Sequence, residues 1–164
     1  MNQNKIQEDI LLKTIELLKG YEPTLIDEIN DLENQELKFT QKYLLPKIKE
    51  EFKTLINEGL IVKGPGDVAI PSFYFLNAKS ITDIVFLKDS KRLLSVEIKL
   101  LKSEGKRNQN LSTAIGQGVI QSLSKFENSI IYIVDFNKNV PNSDVDSLRN
   151  LLSNIDVHLV YTTV

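Results

Sequence analysis

Asp83, Glu97 and Lys99 are the residues whose types and spacing point to chemistry. Asp83 sits within Ile81-Thr82-Asp83-Ile84-Val85-Phe86, and the other two within Val96-Glu97-Ile98-Lys99, charged side chains among strand formers. If these stretches form a hairpin closed by a three-residue loop at Asp89-Ser90-Lys91, Lys88 faces Arg92. Counting back along both strands then sets Asp83 across from Glu97. Opposed residues project from one face, and the two-residue period of a strand brings Lys99 to it as well. Opposed carboxylates repel unless a cation or a proton lies between them, so the arrangement implies Mg²⁺ or Mn²⁺ held by Asp83 and Glu97. A lysine beside such an ion, able to orient or deprotonate water, completes what phosphodiester hydrolysis needs. The plainer alternative is a solvated strand-end Asp83 and an ordinary Glu97–Lys99 ion pair on an open sheet.

Positioning these residues requires a sheet, and the chain supplies one between helices. Apolar residues at 6, 10, 11, 15 and 18 mark an amphipathic helix that stops at Gly20. A second helical stretch runs from Thr24 to Leu32. A third, from about Tyr43 to Glu58, carries Leu45, Ile48, Phe52, Leu55 and Ile56 on one stripe, with Pro46 in its first turn and Gly59 closing it. After the turn cluster Gly64-Pro65-Gly66-Asp67, three strands are expected at Val68–Leu76, Ser80–Leu87 and Leu93–Leu100. A helix from Ser112 to Phe126, a buried strand Ile130–Phe136, a helix Asp144–Asn154 and a strand Val157–Thr162 follow. The result is a single mixed α/β domain over residues 1–164.

The order of elements, with Asp83 on one strand and Glu97-Ile98-Lys99 on the next, resembles the PD-(D/E)xK nuclease superfamily over roughly residues 43 to 136. Thr82 stands where that signature has proline. The resemblance implies a restriction-endonuclease-like mixed central sheet flanked by helices, with residues 1–42 as an N-terminal helical extension and 137–164 as a C-terminal helix and strand. It implies Asp83 and Glu97 as metal ligands and Lys99 as the group that activates water or contacts phosphate. An acidic residue on the preceding helix is common in such proteins. Of Glu50, Glu51 and Glu58, Glu51 is the best placed as an accessory metal ligand, about 80° from the centre of the apolar stripe against about 180° for Glu50. The helix bearing Ala114-Ile115-Gly116-Gln117-Gly118-Val119-Ile120-Gln121 resembles the glutamine helix of RecB-like members. Gln117 and Gln121 share a face opposite Ile115, Val119, Leu123 and Phe126, and Gln117 is taken as the residue that orients Lys99 or a phosphate. A pair of surface amides is the other reading.

Composition limits the alternatives. The 164 residues include 20 Lys+Arg and 22 Asp+Glu, a net charge of -2, so any nucleic-acid surface must be local. Residues 99 to 107 supply such a basic loop. Without cysteine, thiolate zinc sites, Cys-ligated clusters and Cys nucleophiles are excluded. His158, the sole histidine, lies in a terminal strand, from which Ser-His-Asp chemistry would have to reach across the fold, so a structural role is expected for it. No phosphate-binding glycine loop is present. No apolar run reaches the roughly 20 residues that span a bilayer, and the amino terminus lacks a signal-peptide stretch, so a cytoplasmic protein is expected. The expected activity is a metal-dependent endonuclease acting on nucleic acid, DNA first. A non-catalytic nucleic-acid-binding or interaction domain on the same fold is the alternative, and a winged-helix regulator the third reading. The first helix, with an apolar face to spare, is a candidate for homodimerisation.

Overall fold

The amphipathic pattern at the amino terminus folds as α1, Gln3–Lys19. Its buried stripe is Ile10, Thr14 and Leu18, and the Thr14 hydroxyl, unable to reach water, donates to the Ile10 carbonyl at 2.7 Å. The computed structural model describes residues 3–21, 35–68, 73–75, 78–101, 107–124, 126–136 and 140–163. The expected helix at 24–32 and the middle of the basic loop, 102–106, lie outside these.

The third helical pattern is divided. Helical structure also begins before the expected Tyr43, with α2, Gln35–Phe39, and a π-helical turn over Thr40–Leu44, followed by α3, Leu45–Glu51, and α4, Lys53–Asn57. Pro46 falls in the first turn of α3 as expected, where its missing N–H is not needed. Phe52, at φ -97° and ψ 14°, leaves helical geometry between α3 and α4 and so rotates one segment against the other.

Two sheets follow. The larger has the order β1 (Ile61–Lys63), β4 (Ile84–Lys88), β5 (Lys91–Leu101), β6 (Asn128–Asp135) and β7 (Val157–Thr163). A small separate hairpin pairs β2, Phe73–Phe75, with β3, Ala78–Ser80. The strand expected at Val68–Leu76 is therefore not the partner of β4. Ile61-Val62-Lys63 takes that edge antiparallel, with Val62 facing Phe86. Three β-branched or long residues directly after a helix-stopping Gly59 were too short a run to read as a strand.

β4 and β5 are antiparallel, whereas β5, β6 and β7 are mutually parallel. Parallel neighbours need crossovers. These are α5, Arg107–Leu123, and α6, Asn142–Ser153. Both cover one face, where Ala114, Val145 and Leu152 pack on Ile131, Ile133, Val157 and Leu159. α1 and the α2–α3 region cover the other, where Ile10, Leu18, Phe39, Leu44 and Ile48 pack on Phe86, Val96, Ile98 and Tyr132. Covered on both faces, β5 and β6 are buried almost throughout, as central strands of such a layered sheet are. The apolar face of α1 is thus engaged within its own chain and is not the spare surface expected for a dimer.

The β4–β5 turn has two residues rather than three. Lys88 faces Lys91, and Asp89 and Ser90 have φ of 50° and 65°, the left-handed pair that a tight hairpin turn requires. Leu87 faces Arg92 but Phe86 faces Leu94, so Leu93 is one extra residue, a bulge. The bulge restores the pairing predicted for the wrong loop: Ile84 faces Val96, and Asp83 stands one residue before the ladder begins, on the Glu97 side.

Candidate active site

β5 is 11 residues long and outruns β4, whose last pairing with it is Ile84 with Val96. Beyond that point the N–H groups of Ile98 and Leu100 point to an edge without a strand, and a buried edge N–H must find another acceptor. Two carboxylates serve. Asp83 Oδ2 accepts from Ile98 N at 2.7 Å, and Glu36 Oε1 accepts from Leu100 N at 3.3 Å. The Thr82 hydroxyl donates to the Val96 carbonyl at 3.0 Å, a bond that a proline in its place could not make. Side chains thus replace the missing strand at the place where the acidic residues gather.

Glu97 and Lys99 share the face beneath α5. Glu97 is only 2% exposed, and its Oε2 accepts from Gln121 Nε2 at 2.8 Å. The Lys99 ammonium lies 2.9 Å from Glu36 Oε2 and 3.6 Å from Glu97 Oε1. Asp83, Glu97 and Lys99 are therefore brought together, as the hairpin parity predicted.

Three carboxylates surround one ammonium, and their environment shows the imbalance. Burial, then the Asp83 charge, pushes Glu97 up to about 8, with Lys99 and the Gln121 amide only partly offsetting it. Burial raises Asp83 to about 6 against the Ile98 N–H bond and the Lys99 charge, and Glu36 adds to the rise. For Lys99, burial acts to lower the value, but the hydrogen bond and charge of Glu36, with Glu97 and Asp83, outweigh it and the net shift is upward. Lys99 is an ammonium here.

Two other expected residues are placed differently. Glu51 lies exposed at the end of α3, its side chain making no hydrogen bond or ion pair among the described residues. The acidic residue that reaches Lys99 is Glu36, on the short helix before the π turn. On α5, the sheet-facing stripe is Ala114, Gly118 and Gln121, whereas Leu123 is 62% exposed. Gly118 is required there, because a Cβ would lie 2.6 Å from Ile131 Cδ1. The large apolar residues of the sequence pattern misled the reading, since a helix lying this close to a sheet buries its small residues. Gln121 is consequently the amide on Glu97. Gln117 is half-buried one turn earlier, with a buried Oε1 that has no hydrogen-bond partner among the described residues. Glu36 had no signal in its local sequence, being 63 residues from Lys99.

Do these residues suit a divalent ion? Among the described residues no three His, Cys, Asp or Glu side chains converge as a ligand set. Two hard carboxylates suffice for Mg²⁺, which usually keeps waters and takes one or two protein carboxylates. Buried neighbours held back from ionising by burial and each other's charge are relieved by such an ion, so Asp83 and Glu97 fit it. His158 contributes nothing to the site; burial lowers its value, and its Nε2 lies 3.2 Å from Asn128 Oδ1. No helix among the described residues is long and apolar enough to cross a membrane. No known family model and no curated protein matches this chain.

Proposed function

We propose that the protein is a metal-dependent nuclease of the restriction-endonuclease-like, PD-(D/E)xK type that hydrolyses phosphodiester bonds, with DNA as the first substrate to test. The observation that carries this reading is the gathering of Asp83, Glu97 and Lys99 on the part of β5 where pairing with β4 has stopped. Asp83 and Glu97 would hold Mg²⁺ or Mn²⁺, which when bound supplies Lewis-acid neutralisation of a phosphate. Lys99, kept protonated by its acidic neighbours, serves as the fixed positive charge toward the attacked phosphate rather than as a base. Gln121 orients Glu97, fixing one oxygen so that the other faces Lys99. Asp83, braced on the Ile98 amide, is held rigid without help from a neighbouring strand.

Incubation of the purified chain with plasmid, single-stranded and branched DNA, with Mg²⁺ or Mn²⁺ and with chelator, tests this directly. Metal-dependent cleavage abolished by Asp83→Ala is expected. Salt-dependent DNA binding without cleavage under any metal would instead favour a binding domain that retains the arrangement structurally.

A further inference from the structure

Glu36 is the acidic residue nearest the Lys99 ammonium, and it reaches β5 from a part of the chain that the sequence placed outside the nuclease core. We propose that Glu36 is the positioning residue for Lys99, holding the ammonium and the β5 backbone in one grip so that the positive charge stands beside Glu97 before substrate arrives. The inference rests on the nuclease reading and deepens it.

Three observations carry it. Glu36 engages β5 with both oxygens, Oε2 on Lys99 Nζ at 2.9 Å and Oε1 on Leu100 N at 3.3 Å, which sets it apart from the ligand pair Asp83 and Glu97. Its own helix is fixed: the Thr40 hydroxyl donates to the Glu36 carbonyl at 2.7 Å, and Phe39, Thr40 and Leu44 are buried. And Leu100 N lies on the strand edge beyond the end of β4, so moving Glu36 away would leave that amide bare. A lysine has many rotamers, and one held in place beforehand need not be ordered when the phosphate arrives. A carboxylate on a lysine could instead occupy the slot of a phosphate and have to leave. The anchored helix and the bare Leu100 amide argue for a permanent grip, so removing Glu36 should slow the reaction.

The test is single-turnover cleavage of DNA under saturating Mg²⁺ by wild type, Glu36→Gln, Lys99→Met and the double variant, with metal affinity measured by calorimetry using Mn²⁺ alone. Glu36→Gln is expected to lose about 10- to 100-fold in rate, to keep its Mn²⁺ affinity within about threefold, and to have no further effect in the Lys99→Met background. An unchanged or faster rate overturns the proposal. So does a loss of Mn²⁺ affinity of about tenfold or more, which would make Glu36 a ligand, or an equal loss of rate in the Lys99→Met background, which would make its role purely structural. If Glu36→Gln fails to fold, Glu36→Asp, which keeps the charge but shortens the reach, is measured against the same outcomes. A wild type that cleaves nothing overturns the nuclease reading, whereas a cleaving wild type with an unaffected Glu36 variant overturns the role of Glu36 alone.

Discussion

Between Leu94 and Val96, β5 has backbone partners on both sides, β4 and β6; from Glu97 to Leu101 it keeps only β6. In the first stretch the polar side chain Ser95 is paired with Ser129 at 2.8 Å, buried, uncharged and self-sufficient. In the second, Asp83 and Glu36 act as acceptors for the strand edge, and Glu97 and Lys99 face each other beneath α5. One strand thus contains a structural half and a half where charge is concentrated, and the boundary is the end of β4. Ending a neighbour early creates N–H groups that only acceptors can satisfy, and here the acceptors are carboxylates, which gathers negative charge around Lys99.

The largest effect that would sharpen this contrast is on Lys99. Lys99→Met keeps most of the apolar stem and removes the charge. It should lower single-turnover cleavage by at least about 10²-fold while metal and DNA still bind. An unchanged rate would make the second half of β5 as structural as the first.

Next comes Asp83→Ala, which removes a ligand and bares the Ile98 amide. The loss of stability should be about 1–3 kcal/mol, the usual cost of an unsatisfied buried donor. Mg²⁺ should raise the melting temperature of wild type by mass action and leave that of the variant unmoved. Equal stabilisation of both would remove the metal from this end of the strand.

That Glu97 and Lys99 share a face was legible because a strand has a strict period of two, whereas the phase of Asp83 against them agrees with the expected one only because the bulge at Leu93 offsets a turn one residue shorter than expected. The order of helices and parallel strands after residue 107 was legible for the same kind of reason, each element having its own apolar pattern. Glu36 was not, since nothing in Gln35-Glu36-Leu37-Lys38-Phe39 reports that a distant strand edge lacks an acceptor. Glu51 borders the buried stripe of Leu45, Ile48 and Phe52 but is exposed at the end of α3, and Lys99 is met from α2 instead. Gln121 shares a helix face with Gln117 in the sequence, but which of the two meets Glu97 depends on how closely α5 lies over Ile131, a tertiary fact.

A third expectation concerns pH. Glu97 and Asp83 have folded values above their ordinary ones of 4.5 and 3.8, so the folded chain binds protons more readily than the unfolded one. The contribution of these two acids to metal-free stability should be greatest below those ordinary values and be lost as pH rises through about 6 and about 8. Denaturation in chelator across that range should show the decline, and Glu97→Gln should remove its upper part. Stabilisation by Mg²⁺ should grow with pH, because the ion competes with protons for the same carboxylates. A profile flat in chelator would show that the two acids are not held back from ionising.

The smallest effects belong to residues outside the charged half. Ser95→Ala should cost about 1 kcal/mol through the lost bond to Ser129 and leave the cleavage rate as it was. Glu51→Gln, on an exposed helix end, should change stability by less than about 0.5 kcal/mol and cleavage hardly at all. A strong loss of cleavage in either variant would blur the boundary at Val96.

The bulge at Leu93 has a consequence for how the hairpin tolerates change. Because the extra residue sits inside the ladder, the phase between Asp83 and Glu97 is set there and not at the tip. Residues added between Asp89 and Ser90 lengthen a surface turn and leave the two carboxylates in step, so a reporter tag or affinity peptide can be grafted at that point. Straightening the bulge with Leu93 retained would carry the opposite cost, shifting the pairing by one residue and sending one carboxylate to the far side of the sheet without altering either acid, whereas deleting Leu93 would only make the ladder regular.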